Sequence, residues 1–219
     1  MSLPIVAEFA LFLLVVTALV RPVGGYLTRV FTGWRTWLDP ALGPLERGIY
    51  RLTGVDPDQQ MDWRTYALAF VLFGVVGTVV LFLILMAQSL APWNNRPYLT
   101  TPMTPDLAFN TAVSFVTTTT WQAYAGESAM SYVSQMVGLA AQNFLAGAAG
   151  LAVGVAFIRG LAREEASQLG NFWVDLVRAT LWVLLPVSLG RAEVDTQAPI
   201  RGRHRRRLTE TAMPRQDDG

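Results

Sequence analysis

The sequence contains no cysteine and no lysine, and its one histidine, His204, stands near the C-terminus. Without cysteine there is no disulfide framework, no thiolate nucleophile and no thiolate-bound metal, and a single imidazole cannot form a histidine-clustered site. Charge is scarce as well: Asp, Glu, Lys and Arg make up 15% of the 219 residues, against about 25% in an ordinary soluble domain. Together these absences exclude most hydrolase and metalloenzyme chemistries. What is present is apolar: 52% of residues are hydrophobic and the mean hydropathy is +0.34, which points to lipid.

The scarcity is uneven. Residues 1–190 hold 10 arginines and 11 acids, a formal charge of −1, whereas residues 191–219 hold 7 arginines and 5 acids, a charge of +2. The composition breaks near Leu189, so low charge belongs to the first part alone. Four regions are expected: 1–64, a transmembrane helix and cytoplasmic loop; 65–159, a helix, pore loop and helix; 160–189, the start of a second such repeat; and 190–219, a polar, arginine-rich tail.

Leu3 to Val20 is the first apolar run, about 27 Å of helix at ~1.5 Å per residue, close to the ~30 Å of a hydrocarbon core. A cleaved signal peptide needs basic residues ahead of such a run; here Glu8 lies inside its start and Arg21 follows it, so a retained helix is expected. Thr65 to Leu90 and Ser128 to Ile158 carry no charge, and each exceeds the ~20 residues a span needs. A fourth run, Ala179 to Leu189, offers only about 16 Å at ~1.5 Å per residue, half a bilayer. The expected fold is an all-α integral membrane protein with three full transmembrane helices plus one partial. Helices buried in a soluble protein are the alternative.

Arg21, Arg29, Arg35, Arg47, Arg51 and Arg64 lie between the first two spans, only Arg96 between the second and third, and Arg159 and Arg163 just after the third. Positive loops stay inside, which sets the N-terminus outside. Trp63 and Tyr66 at the inner start of the second span, with Trp93 and Tyr98 beyond its outer end, fit aromatic belts. In the inner loop, Leu45, Ile49 and Leu52 suit one short amphipathic turn at the membrane surface. Asp56, Asp58 and Asp62 read as helix-start residues, not metal ligands. No chemistry is expected in this loop.

Between the second and third spans, Thr104-Pro105-Asp106 is a helix start: a capping hydroxyl, a proline at the first helical position, then an acid. From Pro105 to Val116 is 12 residues, about 18 Å of helix at ~1.5 Å each, too short to span but right for a re-entrant half-helix. Thr117 to Thr120 then form a β-branched run expected to leave the helix and become extended. Polar backbone at membrane depth is tolerated only where it lines water or protein, and a helix C-terminus aimed there favours a cation. Trp121 to Glu127 would climb back outward, completing a potassium-channel-like plan. A surface helix followed by an ordinary loop is the alternative.

The stretch Asn110-Thr-Ala-Val-Ser-Phe-Val-Thr, with Trp121-Gln122, Tyr124, Gly126-Glu127, Ser131-Tyr132, Ser134-Gln135-Met136, Gly138-Leu139 and Gln142-Asn143-Phe144, resembles the first pore repeat of the KdpA family, the channel-like, potassium-binding subunits of bacterial ATP-driven potassium pumps. Arg21-Pro22, Leu169-Gly170-Asn171, Trp173-Val174-Asp175-Leu176 and Leu181-Trp182-Val183-Leu184 extend the likeness over roughly residues 3–189. The resemblance implies that Thr117, Thr118, Thr119 and Thr120 contribute backbone carbonyls to a potassium filter. It implies support from Ser114, Trp121, Gln122, Tyr124, Gly126 and Glu127, the last of which also reads as a plain surface carboxylate. The family alternates threonine and asparagine in the filter, whereas positions 118 and 120 are threonine here. Also implied are a location in the bacterial inner membrane, no cofactor beyond the transported potassium, no catalytic residue, and assembly with an ATP-hydrolysing P-type subunit and accessory subunits. Bilayer lipid is a partner and nucleic acid is not.

Small residues fill the third span, and the spacing of Gly150 to Gly154 suits close helix approach. Gln142 and Asn143 inside it are expected to face a partner helix or the pore, structural hydrogen bonding being favoured over ion contact. Members of the family carry four repeats in a longer chain, whereas one repeat and the opening of a second are read here. From about Gly190 the sequence is expected to be a shifted-frame tail or the product of a truncated gene, its arginine-only usage fitting a GC-rich source; a lipid- or nucleic-acid-binding patch over Arg201 to Arg207 is the alternative. The functional readings are a filter-bearing pump subunit, a non-conducting structural fragment, and a stand-alone self-associating channel.

Overall fold

Long apolar runs fold as helices because hydrocarbon offers their backbone groups no other partners. The computed structural model describes residues 3–88, 101–162 and 168–190, and four of its helices are long and apolar enough to cross a membrane. They are α1 (Leu3–Thr32), α3 (Trp63–Ala87), α6 (Ser134–Ala162) and α7 (Phe172–Gly190). Between them lie α2 (Asp39–Thr53), α4 (Pro105–Val116) and the single turn α5 (Gly126–Ala129). Strands β1 (Met61–Asp62) and β2 (Gln168–Gly170) pair antiparallel, Met61 opposite Gly170, a small departure from an all-helical fold.

Several expected boundaries move. α1 continues through Pro22 to Thr32 instead of ending at Val20. α6 begins at Ser134, not Ser128, because Gly126–Ala129 is a separate turn, and its first seven residues, Ser134–Ala140, are π-helical. The partial fourth span is a full one: Phe172–Gly190 has 19 residues. Asp175 and Arg178 seemed to interrupt it, but both lie inside the helix with their charges matched by Arg159 and Glu46. The short amphipathic turn expected around Leu45 is a 15-residue helix closed by Gly54 in the left-handed region, φ 68°, where glycine carries no Cβ penalty.

The packing forms two clusters. At the end of the bundle where α3 begins, Phe172 is fully buried and makes edge-on contacts with Tyr66, Phe70, Phe73 and Trp173 at 5.1–6.0 Å, each worth about 0.5–1.5 kcal/mol beyond area burial. Arg159 ties this cluster together. Its guanidinium pairs with both oxygens of Asp175 at 2.6 and 3.0 Å and donates to the carbonyls of Leu169 and Phe31. Tyr66 donates to Asp175 and to the Ala152 carbonyl. Asn171 caps α7 and holds the carbonyls of Asp56 and Gln59. At the other end, Leu81 and Leu85 of α3, Ala108, Ala112 and Phe115 of α4, and Met130 and Leu139 form the second cluster.

Glu46, in the loop from which no chemistry was expected, accepts from Tyr50, Arg178 and Trp182. Burial, followed by the Glu46 carboxylate, pushes the Tyr50 phenol far above its usual range, so Tyr50 remains the donor. Asp62 caps α3, accepting from the Thr65 amide, as the sequence predicts. Asp56 accepts from the Asp58 amide in a loop turn. Trp93, Tyr98, Arg96, Arg163 and the tail from Arg191 onward lie outside the described residues.

Candidate functional site

α4 has the predicted bounds, Pro105–Val116, with Thr104 extended ahead of it at φ −83°, ψ 155°. The Thr104 hydroxyl makes no capping bond to the helix backbone. It acts instead on Asp106, whose carboxyl is held below its ordinary range first by that hydroxyl and then by backbone amides of the first turn. Ala108, Ala112 and Phe115 face the second cluster. The C-terminal end reaches the middle of α3: a Cβ placed on Gly74 would stand 3.7 Å from Val116. A cavity of about 420 Å³ there is shared by Gly74 and Thr78 of α3, Ala146 and Ala149 of α6, and Thr117 and Thr118.

The threonine run is not extended. It closes α4 in a tight left-handed turn. Thr118 donates its amide to Phe115 at 3.4 Å and Thr119 to Ser114 at 3.0 Å, the paired bonds of a Schellman C-cap. Thr120 adds a second amide on the Ser114 carbonyl at 3.1 Å, and the Thr117 amide reaches Val113 at 3.0 Å. The turn requires Thr118 at φ 60° and Thr120 at φ 53°. β-Branching disfavours helix here as predicted, but the orphan carbonyls at the helix end draw the four amides back, which prevents extension.

The charge distribution follows. All four amides of the run bond to carbonyls at the end of α4. Among the described residues, the Thr117 carbonyl receives the Thr118 hydroxyl at 2.6 Å, and no donor reaches the carbonyls of Thr118, Thr119 or Thr120. All four threonines are exposed. The turn is therefore a patch of uncharged acceptors at the negative end of a helix, chemically suited to a cation stripped of water. No cluster of His, Asp or Glu among the described residues could hold a metal.

Positions 118 and 120, where the resemblance implies asparagine and this sequence has threonine, are the two left-handed residues. Left-handed backbone is tolerated by glycine and asparagine and is unfavourable for β-branched residues. Asparagine therefore fits positions 118 and 120 for conformational reasons, whatever its side chain contacts.

Of the other predicted site residues, Ser114 is buried, 3% exposed, and holds the turn twice: its carbonyl takes the Thr119 and Thr120 amides, and its hydroxyl donates to the Trp121 carbonyl at 3.0 Å. Trp121 is exposed. Gln122 donates to the Tyr124 hydroxyl at 3.2 Å, and burial pushes the Tyr124 phenol up. Gly126 opens α5 and accepts from the Gln135 side chain. Glu127 is exposed and joins Gly126, Tyr132 and Gln135 around a separate cavity of about 280 Å³. Ser114, Trp121 and the threonines thus form one unit, while Glu127 stands apart from it.

Three residues not singled out as anchors bring the return leg back to the end of α3. Gln88 donates to the Ala129 carbonyl and accepts from the Ser131 amide, and the Ser131 hydroxyl links to Ser134. Buried glutamine at the end of an apolar helix was the available signal. Inside α6, Gln142 lies against Gly77 of α3 and its Nε2 has no partner among the described residues, because the α3 backbone beside it is spent on the helix; Asn143 is exposed. Gly150 and Gly154 have nothing within 4 Å of a built Cβ, so the expected close approach does not occur among the described residues.

Four apolar helices, with the short helix α4 packed against two of them, α3 and α6, define a polytopic membrane protein. The chain belongs to the KdpA family, described as the potassium-transporting ATPase A subunit, whose model matches residues 10–194. It is similar to the potassium-transporting ATPase potassium-binding subunits of Methylorubrum extorquens, 56% identical over 181 residues, and Geobacter metallireducens, 54% identical over 182, each alignment covering 83% of this chain and 31% of the relative. The corresponding protein of Granulibacter bethesdensis is 54% identical over 179 residues, 82% of this chain and 31% of the relative. The chain thus spans about a third of the length of these relatives.

Proposed function

We propose that this chain contributes one segment of a potassium filter to an ATP-driven potassium pump. α4 serves as a re-entrant half-helix entered from outside, Thr117 to Thr120 supply carbonyl ligands, and Ser114, Trp121, Gln122, Tyr124, Gly126 and Glu127 support the outer mouth. The observation that carries this reading is the saturation of the run's amides: all four are spent on the end of α4, beside the middle of α3, which leaves the carbonyls of Thr118, Thr119 and Thr120 without a donor among the described residues. Backbone oxygens replace the hydration shell of potassium without bringing in negative charge. The family membership supplies the ion.

On this reading the protein lies in the bacterial inner membrane with its N-terminus outside, binds no cofactor but the transported ion, and leaves ATP hydrolysis to a P-type subunit with which it assembles. Potassium binding to that complex, measured by calorimetry in sodium-free buffer, tests it. Saturable binding that resists sodium is expected; displacement by equimolar sodium, or no complex, would sink the idea. One run supplies a single set of carbonyls, so a closed ring needs further contributions, and a chain alone should not conduct. Purified chain in liposomes is expected to show no potassium-selective flux, and clear selective flux would favour a self-associating channel.

A further inference from the structure

We propose that the outward face of α2 and the loop before it form a docking surface for anionic phospholipid headgroups. The surface shares no residue with the threonine turn.

The argument starts from how α2 sorts its side chains. Asp39 and Glu46 are seven residues apart and so share a helix face. That face is turned inward: Asp39 accepts from the Thr36 amide and hydroxyl, and Glu46 from Tyr50, Arg178 and Trp182. Leu45 and Leu52, also seven apart, are exposed on the other side, Leu52 at 89%. Arg51 lies between that strip and the inward face and is exposed, as are Arg35 in the preceding loop and Arg47, whose guanidinium sits beside Gly43 at the rim of the cavity that Asp39 and Glu46 share. The acids are engaged inside, and none of these three arginines forms an ion pair among the described residues. The outward charge is therefore entirely positive.

Two tryptophans complete the surface, Trp34 at 70% and Trp37 at 78% exposed. Full hydration of two indoles and two leucines beside a membrane domain would be unfavourable, whereas the headgroup layer accepts both their apolar bodies and their polar N–H groups. The location agrees. α2 is bonded to α7 through Glu46, and α7 begins beside the start of α3, where Arg64 stacks on exposed Trp63 at 5.3 Å. The charge complement of three guanidinium groups is phosphate, which arginine engages with paired donors. One occupant satisfies the leucines, the tryptophans and the arginines together: the anionic leaflet of the bilayer.

The test uses the full chain in nanodiscs of phosphatidylcholine containing a rising fraction of phosphatidylglycerol. Lipid retained on extraction is read by mass spectrometry, and tryptophan emission is read against lipids carrying a quencher near the headgroup. Retention of phosphatidylglycerol over phosphatidylcholine is expected, with each arginine contributing about fivefold. The triple change Arg35→Gln, Arg47→Gln, Arg51→Gln should abolish the preference without lowering the melting temperature, and Trp34→Phe with Trp37→Phe should remove most of the quenchable emission. Equal retention by the triple variant, or Trp34 and Trp37 emission untouched by the quencher, would overturn the proposal, the latter placing the face against protein or water. Release of the lipid by excess inorganic phosphate would indicate a free-anion site and overturn it as well. No arm depends on potassium, so its failure is separable from failure of the filter reading.

Discussion

Two regions of the bundle satisfy their polar groups in opposite ways. At the end where α3 begins, charge is met with charge: Arg159 takes Asp175 and two carbonyls, and Arg178 takes Glu46. At the threonine turn there is no ionised group, and backbone amides fold back onto backbone carbonyls. The first arrangement saturates every partner and locks four segments together. The second saturates only its donors and leaves acceptors exposed. Saturation produces rigidity, and the unsaturated region is the one that keeps acceptors without donors among the described residues, as the proposed filter requires.

The largest effect should therefore come from the saturated end. Arg159→Met would strand a carboxylate that is 2% exposed together with the Leu169 and Phe31 carbonyls. Removing one member of a buried pair costs about 3–5 kcal/mol, so little folded protein should survive extraction, as judged by melting in detergent; an unchanged melting curve would remove the lock from this account. Gly170→Ala comes next. Gly170 has φ 108°, and a Cβ there would collide with the Arg159 guanidinium. Backbone strain alone costs about 1–3 kcal/mol. The double variant should be less destabilised than the two losses summed, because both act through the same guanidinium.

The contrast also explains what the sequence disclosed. The half-helix was legible to the residue because its start, Thr104-Pro105-Asp106, and its stop, four β-branched residues, are local signals. The fourth run was read as starting only at Ala179, after Asp175 and Arg178, because the partners that let these two charges lie inside the helix, Arg159 and Glu46, are remote in sequence. For the same reason the structural contacts of Glu46 were not legible in its loop. The threonine turn was placed correctly along the chain and wrongly in conformation: propensity disfavours helix, but the bonds to Ser114 and Phe115 that choose a left-handed turn over an extended strand come from the helix end.

At the unsaturated end the changes should be smaller and one should be favourable. Thr118→Asn and Thr120→Asn place a residue that tolerates left-handed backbone at φ 60° and φ 53°. Relief of β-branched strain predicts a gain of about 1 kcal/mol each, seen as a raised melting temperature. A loss would mean that the threonine methyl or hydroxyl groups hold the turn more strongly than its backbone opposes them.

Ser114→Ala is the smallest expected change in stability and the most informative about the turn. It removes one hydrogen bond, the 3.0 Å link from the hydroxyl to the Trp121 carbonyl, and leaves the two amides on the Ser114 carbonyl in place. The loss should be about 1 kcal/mol, well below that of Arg159→Met. Freed from the hydroxyl, Trp121 no longer fixes the exit of the threonine run, so the run's carbonyls become less well positioned while the fold persists. Potassium binding in the assembled pump should then weaken more than the melting temperature falls, and preference over sodium should drop. Ser114→Thr, which keeps the hydroxyl, should restore both. If Ser114→Ala lowers stability and leaves ion preference intact, the turn is held by its amides alone and the hydroxyl is a packing detail.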